Sequence, residues 1–158
     1  DLFVFLYFGL VATITVPYLS HRTHHYDDNT SWVEIVETFT PAFYVTLPVA
    51  WLSTAIIVVN NLRDRYTDVK AGKRTMAVRC GATFCRVEYA LLVVFSYVVG
   101  VAVTVVPGGK PDWNMWRLLP LLSVPLAIPQ IRAVTLGEKD GRDLNPHVGG
   151  TAKLQLVF

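Results

Sequence analysis

Nine consecutive residues carry the densest chemistry in the chain: Asn60-Asn61-Leu62-Arg63-Asp64-Arg65-Tyr66-Thr67-Asp68. The uncharged run Phe39–Val59 leads straight into them. On a helix, Asn60, Asp64 and Asp68 are spaced i, i+4, i+8 and stack along one face, about 6 Å apart per step. Two carboxylates at that separation repel, so the arrangement calls for a positive group between or above them. Hard oxygen ligands of this kind suit Mg²⁺, which binds through one or two carboxylates plus substrate phosphates and retained waters. Cations are close by: Arg63, Lys70, Lys73 and Arg74 lie within a turn or two, beside Gly72. Arginine grips phosphate bidentately and lysine supplies a compact charge. A substrate with an apolar tail and a diphosphate head fits such a mouth. A plainer reading stands beside this one. Cytoplasmic loops of membrane proteins are basic in any case, and Asp64 and Asp68 can pair with Arg63, Arg65 or Lys70 as solvated helical neighbours. A basic loop of that sort contacts anionic lipid without any catalysis.

The elements that must position these residues are apolar. Of 158 residues, 53% are hydrophobic and only 16% charged, against roughly a quarter in soluble domains. Mean hydropathy is +0.41. A helix needs about 20 apolar residues to cross a bilayer. Leu2–Leu19, Phe39–Val59, Val87–Val106 and Leu118–Leu136 qualify, and a fifth span begins near Leu154. The expectation is an all-α, polytopic transmembrane helical bundle with about four complete spans and the start of a fifth. Pro17, Pro48, Pro120, Pro125 and Pro129 lie in or beside the spans, where neighbouring helices satisfy the carbonyls they free. Leu2–Leu19 lacks a basic leader and a small-residue cleavage site, so it reads as a span and not a signal peptide. Both ends look cut, and a fragment of a longer protein is expected.

The 14 lysines and arginines distribute as one, seven, two and four over the successive stretches between spans. That alternation places the Asn60–Arg86 loop on the cytoplasmic side, or its organellar equivalent. His21 and His25, with His24, Asp27 and Asp28, have no matching ligand pair elsewhere and lie on the opposite side, which argues against zinc. Trp32, Trp113 and Trp116 fall near span ends as interfacial residues. Phe43, Tyr44 and Trp51 precede the polar run and either present π faces to a cation or simply pack and face lipid. Asn145-Pro146 with Gly149-Gly150 reads as a loop entering the last helix. Cys80 and Cys85, five apart, match no redox or zinc spacing and are expected reduced.

The string NNLRDRYTDVKAGKRTMAVRCG resembles the second aspartate-rich motif of the UbiA superfamily of intramembrane prenyltransferases. Its NNxRDxxxDxxxGKRTxAVRxG form is similar to the branch that prenylates 1,4-dihydroxy-2-naphthoate in menaquinone and phylloquinone synthesis. DLFVFLYFGLVAT and LNPHVGGTAKLQLVF resemble that branch's flanking helices. The resemblance implies that residues 1–158 are the C-terminal part of one nine-helix domain, with a first aspartate-rich motif upstream of Asp1. It implies Mg²⁺ at Asp64 and Asp68, with Asn60 joining them in the catalytic set. Arg63, Lys70, Lys73, Arg74 and Asn61 would bind the diphosphate. It implies transfer of a polyprenyl or phytyl group from its diphosphate to an aromatic quinone precursor, with loss of CO₂ for dihydroxynaphthoate. Hydroxybenzoate and homogentisate are alternative acceptors. The bilayer is a partner, nucleic acid is not, and the location is a bacterial plasma membrane or a plastid membrane. Without the upstream motif, the chain alone is expected to be inactive.

Overall fold

Apolar runs of this length can satisfy their backbone in lipid only by closing hydrogen bonds internally, which favours helices. The computed structural model bears this out for residues 2–11, 15, 19, 32–105, 115–137 and 139–158, which it describes. Every element among them is helical. A short helix α1 (Leu2–Val4) widens into π-type turns over Phe5–Val11. Helix α2 (Trp32–Lys70) and helix α3 (Met76–Val105) form the central pair. A 3₁₀ segment (Met115–Ser123) runs into α4 (Val124–Thr135), and a 3₁₀ turn (Gly141–Leu144) runs into α5 (Asn145–Val157).

The core is a stripe from each helix. On α2, Leu52, Ala55, Val59 and Leu62 recur at helical spacing and are fully buried, as is Val58. They meet Cys85, Tyr89 and Val93 of α3, Ala127 and Val134 of α4, and Leu154 of α5. The opposite faces are apolar too. Leu91, Val94, Phe95 and Val98 of α3 are exposed, and so are Leu118, Leu122 and Leu126 ahead of and within α4. Met76–Ala102 and Leu118–Thr135 are long and apolar enough to cross a membrane, yet only 22% and 17% of their apolar windows are buried within the chain. A soluble core helix would be mostly covered; these helices present hydrocarbon outward, as a lipid-facing helix does.

Polar ties cross the bundle where side chains can reach. Thr151 donates its one hydroxyl proton to His147 O (2.7 Å), so Tyr89 O–H donates to Thr151 Oγ1 at 2.9 Å. Tyr97 and Ser123 hydroxyls meet at 2.5 Å, and Gln155 Nε2 donates to Ser53 Oγ at 2.7 Å. Pro125 sits in the first turn of α4 and Pro146 in that of α5, where no intrahelical N–H is missed.

Three sequence expectations need correction. The Asn60–Arg86 stretch is not a loop: α2 continues to Lys70 and α3 starts at Met76. Its polar residues include good helix formers, and a 39-residue helix is about 58 Å long, so it outruns an apolar core of about 30 Å. The last helix begins at Asn145 and not near Leu154, so Asn145-Pro146 and Gly149-Gly150 belong to the helix itself. The three-proline span divides into 3₁₀ and α portions, because Pro120 and Pro125 remove amide donors. The readings of His21, His24, His25, Asp27, Asp28 and Trp113 lie outside the described residues, as do those of the Trp32 and Trp116 side chains.

Replacing Tyr89 with Phe removes one buried interhelical hydrogen bond and leaves Thr151 bonded to His147. We expect a loss of about 0.6 kcal/mol, the average for such bonds in membrane bundles. Reversible unfolding in mixed micelles measures it.

Candidate active site

The polar end of α2 extends beyond the last fully buried apolar residue of that helix, Leu62. There Arg63 organises its neighbours. Its Nε donates to Asp64 Oδ1 at 2.8 Å and its Nη2 to Asp64 Oδ2 at 2.5 Å. The same Nη2 donates to Asn60 Oδ1 at 2.8 Å, and Nη1 reaches across to Asn145 Oδ1 at 3.1 Å. The planar guanidinium fork allows three acceptors to be held at once. Its hydrogen bonds hold the Asp64 carboxyl below the usual carboxylate range, against the opposing effect of burial, so Asp64 is ionised at neutral pH. The Arg63 guanidinium is raised in turn by the same pairing. Asn61 is half-buried on the same stretch.

Asp68 is held differently. It is 5% exposed, and its Oδ1 lies 3.1 Å from Lys73 Nζ. Local backbone chemistry produces that pair. α2 ends in a Schellman turn: Lys73 N donates to Asp68 O at 2.9 Å and Gly72 N to Val69 O at 3.2 Å. Gly72 adopts φ +71, a left-handed conformation that a Cβ disfavours, although nothing lies within 4 Å of where one would be. The turn folds the chain back so that Lys73 sits over the acid five positions earlier. Gly81, at φ 84 and ψ 175, makes the next break, within α3.

The basic residues therefore fall into two groups. Arg63 is bound to Asp64, Lys73 to Asp68, and Arg65 to Asp140 at 3.0 Å. Lys70 and Arg74 are exposed, and among the described residues neither forms an ion pair. Of the pairings open to the two acids, Asp64 takes Arg63; Asp68 takes neither Arg65 nor Lys70, and the turn after Lys70 delivers Lys73 to it instead.

The two carboxylates suit a hard cation that takes its remaining ligands from phosphate and water. They do not make a closed metal cage: among the described residues, no three His, Cys, Asp or Glu side chains cluster for one. Phe43 and Tyr44 are exposed and stack edge to face, and Trp51 lies against Phe95. Cys80 and Cys85 are both free thiols.

Residues 1–143 match the UbiA prenyltransferase family. This chain belongs to the UbiA prenyltransferase family. UbiA proteins are integral membrane prenyltransferases, in keeping with the apolar helical bundle. The chain is 31% identical over 155 residues to the 1,4-dihydroxy-2-naphthoate octaprenyltransferase of Mycobacterium leprae, covering 98% of this chain and 45% of that protein. It is 31% identical over 158 residues to the enzyme of the same name from Mycobacterium tuberculosis, covering 100% and 47%. UbiA prenyltransferase domain-containing protein 1 of Dictyostelium discoideum is 32% identical over 98 residues, 62% of this chain and 26% of that protein. The chain thus spans just under half the length of the mycobacterial relatives. No solved structure matches it.

Sequence reasoning missed Asn145 and Asp140 as partners of the UbiA motif helix. They lie 82 and 75 residues from the arginines they bind. Asn145 carried one local signal, the Asn-Pro step that opens α5, and Asp140 carried none.

Replacing Gly72 with Ala forces a Cβ into the left-handed region. We expect a loss of about 1 kcal/mol and a looser Asp68–Lys73 pair. Faster amide exchange at Gly72 and Lys73 would register the change; protection equal to wild type would show that the turn does not need glycine.

Proposed function

We propose that the protein carrying this chain transfers a polyprenyl or phytyl group from its diphosphate to 1,4-dihydroxy-2-naphthoate, with decarboxylation, in menaquinone or phylloquinone synthesis. The observation that carries this reading is the polar tip of α2. Asp64, paired with Arg63, and Asp68, paired with Lys73, lie one turn apart at the end of an apolar helix beside exposed Lys70 and Arg74, in a chain whose mycobacterial relatives bear the name of that activity. In this reading residues 1–158 are the C-terminal part of a single UbiA-type domain, and the tip of α2 faces the cytoplasm or stroma.

Asp64 and Asp68 would hold Mg²⁺, which supplies charge neutralisation for the departing diphosphate. Asn60 keeps Arg63 aligned on Asp64. Lys70 and Arg74, exposed and not ion-paired among the described residues, are the cations most available to the diphosphate oxygens; Arg63, Lys73 and Asn61 belong to the same end. In the reaction the allylic C–O bond breaks and its electron pair leaves with the diphosphate. An electron-rich ring carbon of the acceptor forms the new C–C bond to the allylic carbon. Loss of CO₂ from that ring carbon returns its bonding pair and restores the aromatic system. The apolar helices exclude water, which would otherwise capture the cationic carbon.

In the full-length protein, Asp64→Ala and Asp68→Ala should each lower Mg²⁺-dependent prenylation by at least about 10²-fold while membrane insertion is retained, a loss typical of removing an electrostatic stabiliser. Product mass with dihydroxynaphthoate, hydroxybenzoate and homogentisate as acceptors reads both rate and specificity. Near-normal turnover in both variants would refute the assignment of the acids. Product from another acceptor alone would replace the naphthoate reading.

A further inference from the structure

Buried apolar packing does not hold the tip of α2. After Leu62 the only buried side chain on the helix is Asp68, while Tyr66 and Val69 are 56% and 58% exposed. Something else must set which way the last two turns face. Residues advance about 100° around a helix, so with Asp64 at the origin Asp68 lies about 40° away, Arg65 about 100° and Tyr66 about 200°. Asp64 and Asp68 share one face; Arg65 and Tyr66 lie around the side and back.

Asp140 grips that other side. Its Oδ2 accepts from Arg65 Nη2 at 3.0 Å and from Tyr66 O–H at 2.8 Å. Arg65 also donates to Tyr66 Oη at 2.6 Å and lies over the Tyr66 ring at 4.6 Å, so the two side chains are held as one unit. Asp140 itself is anchored. Its Oδ1 accepts from Gly141 N at 3.0 Å, and Leu144 at the end of the same turn is fully buried. Arg86 of α3 pins the segment from the other side, donating to Val134 O at 2.6 Å and Lys139 O at 2.8 Å. The Lys139 ammonium donates to His147 Nε2 at 2.9 Å, and His147 Nδ1–H donates to Gln130 Oε1 at 2.7 Å. The 139–145 segment is therefore a fixed post tied to α3, α4 and α5, and Asp140 is its reach toward α2.

We propose that Asp140 is a positioning residue for the metal–diphosphate site: by holding Arg65 and Tyr66 it sets the roll of the α2 tip, and so the direction in which Asp64 and Asp68 present their carboxylates. This rests on the proposed prenyl transfer. It also explains why Arg65, unlike Arg63 and Lys73, forms its ion pair with an acid outside the motif. Small misplacements of catalytic groups cost rate steeply, on the order of 10²-fold for 1 Å. A roll of the tip would act on the metal and diphosphate and leave the acceptor untouched.

The test uses the full-length protein in membranes with Asp140→Ala, Asp140→Asn and Tyr66→Phe. The half-saturating Mg²⁺ concentration and the KM for polyprenyl diphosphate are measured beside the KM for dihydroxynaphthoate. Hydrogen exchange over residues 65–70 is followed in the same preparations. Asp140→Ala should raise the first two constants at least about ten-fold, because a hydrogen bond to a charged group carries that much free energy. The acceptor KM should stay within about two-fold, Asp140→Asn should be intermediate, and exchange over 65–70 should quicken. Unchanged Mg²⁺ and diphosphate constants, or an acceptor KM that rises equally, would overturn the proposal. Should Asp140→Ala fail to insert, Tyr66→Phe decides by the same constants, since it removes a single hydroxyl. Should the wild-type protein not prenylate at all, the function reading fails on its own. Exchange then decides the clasp: faster in Asp140→Ala supports it, and unchanged exchange overturns it.

Discussion

The Arg63 guanidinium joins the parts of this structure that would otherwise be separate. It grips Asp64 with two donors, Asn60 one turn back with a third hydrogen bond, and Asn145 on the last helix with a fourth. A carboxylate left alone at a membrane surface beside a second carboxylate would be repelled and protonate more readily. Paired with a fixed, always-charged fork, it stays ionised and directed. The position of α5 matters to the site for this reason: among the described residues, Asn145 is the acceptor for the Nη1 arm of Arg63.

The membrane shapes the rest. Lipid offers no hydrogen bonds, so α2 must satisfy its backbone internally through the apolar stretch, and once formed the helix continues past it. The same rod that contains the apolar Phe39–Val59 run thereby carries Asn60 to Lys70 beyond it as a helical tip, not a loose loop. Stiffness is gained, but apolar packing is lost, because the tip has left the core. Polar contacts take over from Leu62 onward: Arg63 to Asn145, Arg65 and Tyr66 to Asp140, and Lys73 back to Asp68.

This division also sorts cations that look equivalent in composition. Arg63, Arg65 and Lys73 neutralise acids of the scaffold and orient them. Lys70 and Arg74 stand exposed at the same end. A proposed diphosphate site built this way separates the charges that hold the acids in place from those open to an incoming anion, and the two sets respond differently to substitution.

Several features were legible in the sequence because they depend only on neighbours along the chain. The apolar runs, the helical spacing of Asn60, Asp64 and Asp68, and the family resemblance all belong to this kind. The end of α2 was harder to read, since a polar helix that outruns the membrane has the composition of a loop. The start of α5 was misread for a related reason, because Asn-Pro followed by Gly-Gly resembles a connector unless a helix is already packed there. What only the tertiary structure decided is which distant residues the two arginines of the motif helix reach. Nothing in local spacing links Arg63 to a residue 82 positions away, or Arg65 to one 75 away. Those pairings exist because packing of α3, α4 and α5 around the Leu52–Leu62 stripe brings the 139–145 segment alongside the tip of α2, where a hydrogen bond depends on distance in space and not on distance along the chain.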